Sequence, residues 1–168
     1  MRTIMICGCG GSGKSELASQ LGQRLNLPVI LLDMEYYDEH WNPLDPELFA
    51  QRQRELVAAD EWIIDGNYAT TMPIRLGKAQ TVIVLDIHPL VCLWGTVQRR
   101  FQHRGDDDHS RHRRGRINWG FVKYVLSYRR KMRPRVERLI AEHAVGNVVQ
   151  LRNRSEIRRF LAAIPSPS

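Results

Sequence analysis

Cysteine is scarce in this chain: three residues in 168, an odd number with no C-x-x-C pair. That excludes a disulfide framework and a cysteine-based zinc ribbon. Cys7 and Cys9 flank Gly8, a spacing that suits neither a disulfide nor a zinc knuckle. Cys7 is therefore expected in the core at a strand end and Cys92 inside a helix, while Cys9, in a glycine-rich loop near Lys14, is expected to be somewhat reactive. Long apolar runs are also missing. Nothing approaches the roughly 20 residues of a membrane-spanning helix, and the apolar stretch after Arg2 is too short for a signal segment. The expectation is a cytoplasmic protein that does not enter a membrane. Internal repeats and linkers are absent as well. With 43% hydrophobic and 26% charged residues, the composition predicts one globular domain over residues 1–168 with a proper core.

Acidic residues are sparse in one segment. Residues 98–138 hold 14 Lys/Arg against 4 Asp/Glu, a balance of +10, whereas the remainder holds 11 basic and 14 acidic residues. The net charge of +7 thus originates in that block. A block of this kind binds nucleic acid or closes over the phosphates of a small substrate. Residues 104–116 (RGDDDHSRHRRGR) contain no apolar side chain, so a solvated, arginine-rich excursion is expected there. His103, His109 and His112 lack partner cysteines and sit in a positive field, which argues against zinc. Asp106, Asp107 and Asp108 are consecutive and cannot all face one ion on a regular element.

The most informative feature that is present is Gly8-Cys9-Gly10-Gly11-Ser12-Gly13-Lys14-Ser15, a complete G-x-x-x-x-G-K-[ST] phosphate-binding loop. Thr3–Cys7 reads as a buried strand before it, and residues 16–25 read as a helix after it. Glycine lets the backbone adopt positive φ and approach a ligand without a Cβ in the way. The N–H groups from Gly10 to Ser15, including those of Gly11, Ser12 and Gly13, can converge on a phosphate at a helix N-terminus. Lys14 supplies charge to the β/γ oxygens and the Ser15 hydroxyl can hold Mg²⁺. ATP and Mg²⁺ are the expected cofactors; the sequence leaves ATP against GTP open.

Strand and helix signals alternate along the rest of the chain, which predicts an α/β fold with a parallel sheet. Val29–Leu32 is a strand ending at Asp33. Residues 34–46 are a loop or irregular lobe in which Tyr36, Tyr37 and Trp41 could line an acceptor pocket. Asp45-Pro46-Glu47 opens a helix. Trp62–Ile64 is a strand ending at Asp65-Gly66, and Thr81–Leu85 one ending at Asp86. Pro89 starts a helix to about His103. A long helix from about 118 to 143, bent at Pro134, precedes the strand Val148–Leu151, and Ser155 caps a last helix with Ile157, Phe160, Leu161 and Ile164 inward. Trp62, Trp94 and Trp119 read as packing residues. In open parallel sheets, ligands bind beyond the carboxyl ends of the strands, which gathers the phosphate loop, Asp33, Asp65 and Asp86 along one edge.

The chain resembles the nucleoside-monophosphate kinase branch of P-loop proteins, such as adenylate kinase. Within that branch it is most similar to the DNA topology modulation proteins. The residues that carry the resemblance are Gly8–Ser15, Asp60-Glu61-Trp62-Ile63-Ile64-Asp65-Gly66-Asn67-Tyr68, and Asn118-Trp119 through Tyr128-Arg129-Arg130-Lys131-Met132-Arg133-Pro134-Arg135. The resemblance implies a three-layer fold with sheet order 2-3-1-4-5 and a short arginine-rich lid at about 104–116. It implies that Asp65 orders Mg²⁺, that Arg75 meets the acceptor's anionic group, and that Arg100 and Arg104 form a lid-entry pair. Arg129 and Arg130 would act on the transferring phosphoryl group. Asn67-Tyr68 replaces the usual Phe-Pro-Arg, which argues against AMP as acceptor.

The leading reading is a small-molecule phosphotransferase in which the acceptor lies between Asp33, Asn67 and Arg75, with Asp33 as base or orienting acid. Tyr68 belongs to the same acceptor side. The alternatives are a nucleic-acid-associated NTPase that modulates DNA topology, with weak non-specific binding at the basic block, and a nucleotide-dependent switch. The sequence leaves the oligomeric state open.

Overall fold

In a computed structural model, residues 1–102 and 119–165 are described, the side chains of 98–102 excepted. Five strands form one sheet: β1 (Thr3–Gly8), β2 (Val29–Leu31), β3 (Trp62–Asp65), β4 (Thr81–Leu85) and β5 (Asn147–Leu151). Their order is β2-β3-β1-β4-β5 and every pairing is parallel. This is the order and direction expected from the sequence.

The three central strands, β3, β1 and β4, are buried on both faces because they are apolar at consecutive positions, the pattern of parallel sheets covered by helices. Successive side chains divide between the faces. Ile4 and Ile6 of β1, Ile63 of β3 and Ile83 and Leu85 of β4 enter one core cluster. Helices α1 (Lys14–Leu25), α5 (Pro89–Gln102), α6 (Trp119–Lys131) and α8 (Arg154–Ala162) complete it through Leu17, Leu21, Cys92, Val125, Ile157 and Leu161. Met5, Cys7, Trp62, Ile64 and Val82 enter the other cluster. There α2 (Leu32–Glu35), α3 (Pro46–Leu56), α4 (Met72–Leu76) and α7 (Arg133–His143) contribute Leu32, Phe49, Met72, Leu76 and Val136. The result is three layers, helix on sheet on helix.

Register aligns the carboxyl ends. Ile6 and Leu31 both lie beside Asp65, and Gly8 lies beside Leu85. Gly66 N–H continues the ladder to the Ile6 carbonyl at 3.2 Å and Asp86 N–H to that of Leu151 at 2.9 Å. The ends of β1 to β4 therefore share one edge.

Several local expectations are corrected. The chain after Leu31 turns at once into the single turn of α2, so Asp33 sits on a helix and not at a strand end. The predicted long helix is two, α6 and α7, broken at Met132, with Pro134 inside the first turn of α7, where its missing N–H costs nothing. The last helix is capped by Asn153, which accepts from Glu156 N–H at 2.9 Å, and not by Ser155. Trp94 and Trp119 are 62% and 81% exposed and do not pack, whereas Trp62 is fully buried. Among the described residues no helix is long and apolar enough to cross a membrane. Arg104 and the 104–116 excursion lie outside the described residues.

Candidate active site

The phosphate loop is shaped by close approaches at three glycines, two of which, at Gly8 and Gly11, meet backbone and forbid a Cβ. Gly8 has φ +151°, and a methyl there would sit 2.5 Å from the Leu85 carbonyl. Gly11 (φ +76°) lies against the Cys92 carbonyl and the Thr96 hydroxyl, and Gly13 (φ +94°) against the Arg154 guanidinium. Positive φ at Gly11 and Gly13 is costly for any residue with a side chain, and it lets the loop curl around its own N–H groups into an anion nest. Gly13 is also the N-cap of α1 and makes no side-chain capping bond, which leaves the first N–H groups of the helix for a ligand. Gly10 is roofed by the Phe121 and Tyr124 rings of α6.

Lys14 Nζ bonds the Cys9 carbonyl at 3.1 Å, arching across its own loop. The Ser15 hydroxyl donates to Asp65 Oδ2 at 2.6 Å. The other oxygen of Asp65, Oδ1, is buried without a hydrogen-bond partner among the described residues. Burial pushes the Asp65 carboxyl above the usual range, against the pull of Lys14 and the Ser15 bond. A buried carboxylate oxygen with no partner is costly. A divalent cation beside Ser15 would relieve that cost, so these two side chains fit Mg²⁺. Among the described residues no group of three or more His, Cys, Asp or Glu is placed to hold a metal. The cation would therefore rely on phosphate oxygens and water for its remaining ligands.

Asn67 ties the loop to β3. Its amide accepts from Gly8 N–H at 3.0 Å and donates to the Gly8 carbonyl at 2.8 Å, and it also reaches the Tyr124 hydroxyl at 3.4 Å. Asn67 thus braces the start of the phosphate loop. Tyr68, next along, donates its hydroxyl to Asp33 Oδ1 at 2.9 Å. Burial, reinforced by Asp33, pushes the Tyr68 phenol upward, so it stays a donor. Asp33 is exposed and keeps Oδ2 clear of Tyr68.

Arg75 does not stand where the sequence reading put it. It is fully buried, and its guanidinium donates to the carbonyls of Gly66 at 2.7 Å, Asn67 at 2.6 Å and Tyr68 at 3.4 Å. Burial pulls its pKa down to about 10, which still leaves it charged. It shapes the 66–68 loop from beneath, and its remaining donor, Nε, is buried without a partner among the described residues. Cys9 is likewise no reactive thiol. It is 2% exposed, and its hydrogen bond with Cys92 and its burial drive its pKa upward.

On the β4 side, Asp86 gathers cations. Its Oδ1 meets Arg129 Nη2 and its Oδ2 meets Arg133 Nη2, each at 3.4 Å, and Gln150 adds a bond at 3.2 Å. Asp86 is therefore an anchor for the end of α6. Arg130 is exposed and forms no ion pair with a described residue. The Arg100 side chain lies outside the described residues. One cation escaped the sequence reading. Arg154, at the start of α8, lies 2.7 Å from the position of a Cβ on Gly13 and 3.3 Å from one on Gly95. It has no hydrogen bond or ion pair among the described residues. The rule that gathered the other strand ends points to the loop after β5 as well.

No protein-family model matches the sequence, and no curated protein matches it. Solved structures do match in shape. Shikimate kinase from Bacteroides thetaiotaomicron is 17% identical, with 95% of this chain and 93% of that one aligned at a TM-score of 0.58. Shikimate kinase from Acinetobacter baumannii, solved in complex with shikimate, is 15% identical over 98% and 90% of the two chains, with a TM-score of 0.62. A sugar kinase from Janibacter sp. HTCC2649 is 16% identical over 96% and 93%, with a TM-score of 0.54. At such identities the likeness is one of fold, and this chain has the P-loop kinase fold that those proteins share.

Proposed function

We propose that the protein is a small-molecule kinase that moves the γ-phosphoryl group of MgATP to an acceptor hydroxyl. The observation that carries this reading is a juxtaposition. A complete phosphate loop and its Ser15–Asp65 pair lie one strand away from Asp33, an acid held by Tyr68. A bare nucleotide switch has no need of a second acid beside the cradle. The solved kinases with this fold add support: two are shikimate kinases and one is a sugar kinase.

In this reading the loop amides and Lys14 hold the β- and γ-phosphates, and Arg154 neutralises the nucleotide from the α8 side. Mg²⁺, when bound at Ser15 and Asp65, neutralises charge that develops on the β- and γ-oxygens. The acceptor hydroxyl lies against Asp33 Oδ2. Its oxygen forms the new P–O bond as the bond to the β-phosphate oxygen breaks; the hydroxyl proton passes to Asp33 and ADP departs. Arg130 stands at the end of α6 to meet phosphoryl charge, and Asp86 holds Arg129 in the same region. The similarity to DNA topology modulation proteins is carried by the sequence phrases alone, and a nucleic-acid role gains no support from the site.

The test is transfer of labelled γ-phosphoryl from ATP to a panel of hydroxyl compounds, with Asp33→Asn beside the wild type. The expected result is a phosphorylated acceptor, with kcat lower by about a hundredfold in the variant while MgATP affinity stays within about tenfold. ATP hydrolysis with no phosphorylated product from any acceptor would overturn the reading.

A further inference from the structure

The acceptor end of the site has the opposite charge from the nucleotide end. Between Asp33 and Gln51 the chain carries six acids, Asp33, Glu35, Asp38, Glu39, Asp45 and Glu47, and no Lys or Arg. Glu35 and Glu47 are compensated from α3, by Arg52 at 2.9 Å and Arg54 at 3.0 Å. Asp33 is not. Its hydrogen bond comes from a neutral phenol, and Arg75, the cation expected to serve an anionic acceptor, is sealed beneath the loop.

Aromatic rings line the same end. Tyr36 lies 5.1 Å, centroid to centroid, from each of Tyr37, Phe49 and Tyr68, and Phe49 lies 4.9 Å from Tyr68. Phe49 forms the buried floor. At the rim, Tyr37 and Trp41 stand 5.7 Å apart with their planes tilted by 43° and both rings exposed. The chain holds two members of this group, Trp41 and Tyr68, against its own preference. Trp41 has φ +62° and Tyr68 φ +36°, so two of the three described non-glycine residues at positive φ belong to this aromatic group. Bulky side chains rarely adopt that conformation. Trp41 is fixed in it by a bond from its N–H to the Asp38 carbonyl at 3.0 Å, inside a turn closed by Asp38 N–H to Asn42 O at 2.9 Å. Strain of this kind persists where the surroundings over-determine it, and it gathers at ligand sites.

We infer that the acceptor is a hydroxyl-bearing organic cation, an amino alcohol or alkylammonium alcohol, with its cation on the Tyr37 and Trp41 faces and its hydroxyl at Asp33. The tilted rings offer electron-rich faces to one cation, and the uncompensated acids deepen the negative potential around it. A carboxylate or phosphate on the acceptor would instead meet Asp33 with no Lys or Arg from its own lobe to balance it. The hydroxyl's part rests on the kinase reading. The cation pocket stands on the rings and acids alone.

The test uses two molecules of equal shape, choline and its uncharged isostere 3,3-dimethyl-1-butanol, titrated into the full-length protein by calorimetry with MgADP present. Choline is expected to bind at least about tenfold more tightly. Tyr37→Leu with Trp41→Leu should remove that preference and leave MgATP affinity unchanged, with the urea midpoint lowered only modestly because each residue is more than a third exposed. Equal affinities, no binding of either molecule, or a preference that survives the double variant would overturn the inference. A transfer assay over cationic, neutral and anionic hydroxyl compounds separates the two proposals. Transfer only to neutral or anionic acceptors overturns the cation pocket and upholds the kinase. A choline preference with no transfer to any hydroxyl compound upholds the pocket and overturns the kinase.

Discussion

Arg75 provides a quantitative test of how the acceptor side is built. The substitution Arg75→Leu removes a fully buried guanidinium from the carbonyls of Gly66, Asn67 and Tyr68. Two of those bonds are short, and a charge-assisted hydrogen bond contributes about 1.5–3 kcal/mol net. The Asn67 and Tyr68 carbonyls are half-buried and can recover water, whereas Gly66 is buried, so the expected loss is about 2–4 kcal/mol, since orphaned carbonyls and no unpaired charge are left behind. That is a large fraction of the 5–15 kcal/mol available to an ordinary domain. Arg75→Lys keeps one charged donor group and should fall between. Urea denaturation at 15 °C, read by far-UV circular dichroism, measures the loss, and calorimetry on the folded fraction measures MgATP binding, expected within about threefold of wild type because Arg75 does not touch the phosphate loop. A direct acceptor ligand would give the reverse pattern: stability within about 1 kcal/mol and transfer abolished. That result would refute the structural role argued for Arg75.

Asp65 predicts a pH-dependent trade. Its folded-state pKa is raised by burial, so the folded protein binds its proton more tightly than the unfolded chain does, and stability falls as pH rises through the raised value. Asp65→Asn should therefore raise the thermal midpoint of the ligand-free protein at pH 7–8, with the gain vanishing as pH falls below the ordinary carboxylate range. With saturating MgATP the order should reverse, since Mg²⁺ loses a ligand; a variant that is no more stable without ligand would contradict the buried charge. Arg154 has no hydrogen-bond or ion-pair partner among the described residues, so Arg154→Ala should leave stability within about 0.5 kcal/mol and weaken MgATP by about tenfold, measured by calorimetry. Unchanged affinity would remove Arg154 from the nucleotide site.

The phosphate loop was readable because its chemistry needs a fixed octet, and the geometry of Gly11 and Gly13 follows from residues that tolerate positive φ. The sheet order was readable through the family resemblance, and the shared edge through the rule for parallel sheets. Burial was harder to read. The resemblance made Arg75 an acceptor ligand, and nothing in the string says that it turns inward to cap three carbonyls. Trp94 and Trp119 look like core because tryptophan usually is, yet both lie on outward helix faces. Asn153 and Ser155 are both good caps, and the structure uses the earlier. The Asn67 clamp on Gly8 depends on side-chain geometry that spacing does not encode. Arg154 was not legible because it lies outside the 98–138 block, and one arginine after a strand reads the same whether it is solvated or faces a ligand.

The central claim, that the Gly8–Ser15 loop is a working MgATP cradle, is tested most directly by calorimetric titration of ATP into the wild type and Lys14→Ala, with Mg²⁺ and with EDTA. The account predicts saturable one-to-one binding by the wild type, weakened by EDTA. In Lys14→Ala it predicts affinity lower by about a hundredfold, because the charge that arches over the loop is gone. Equal MgATP affinity in the two proteins would contradict it.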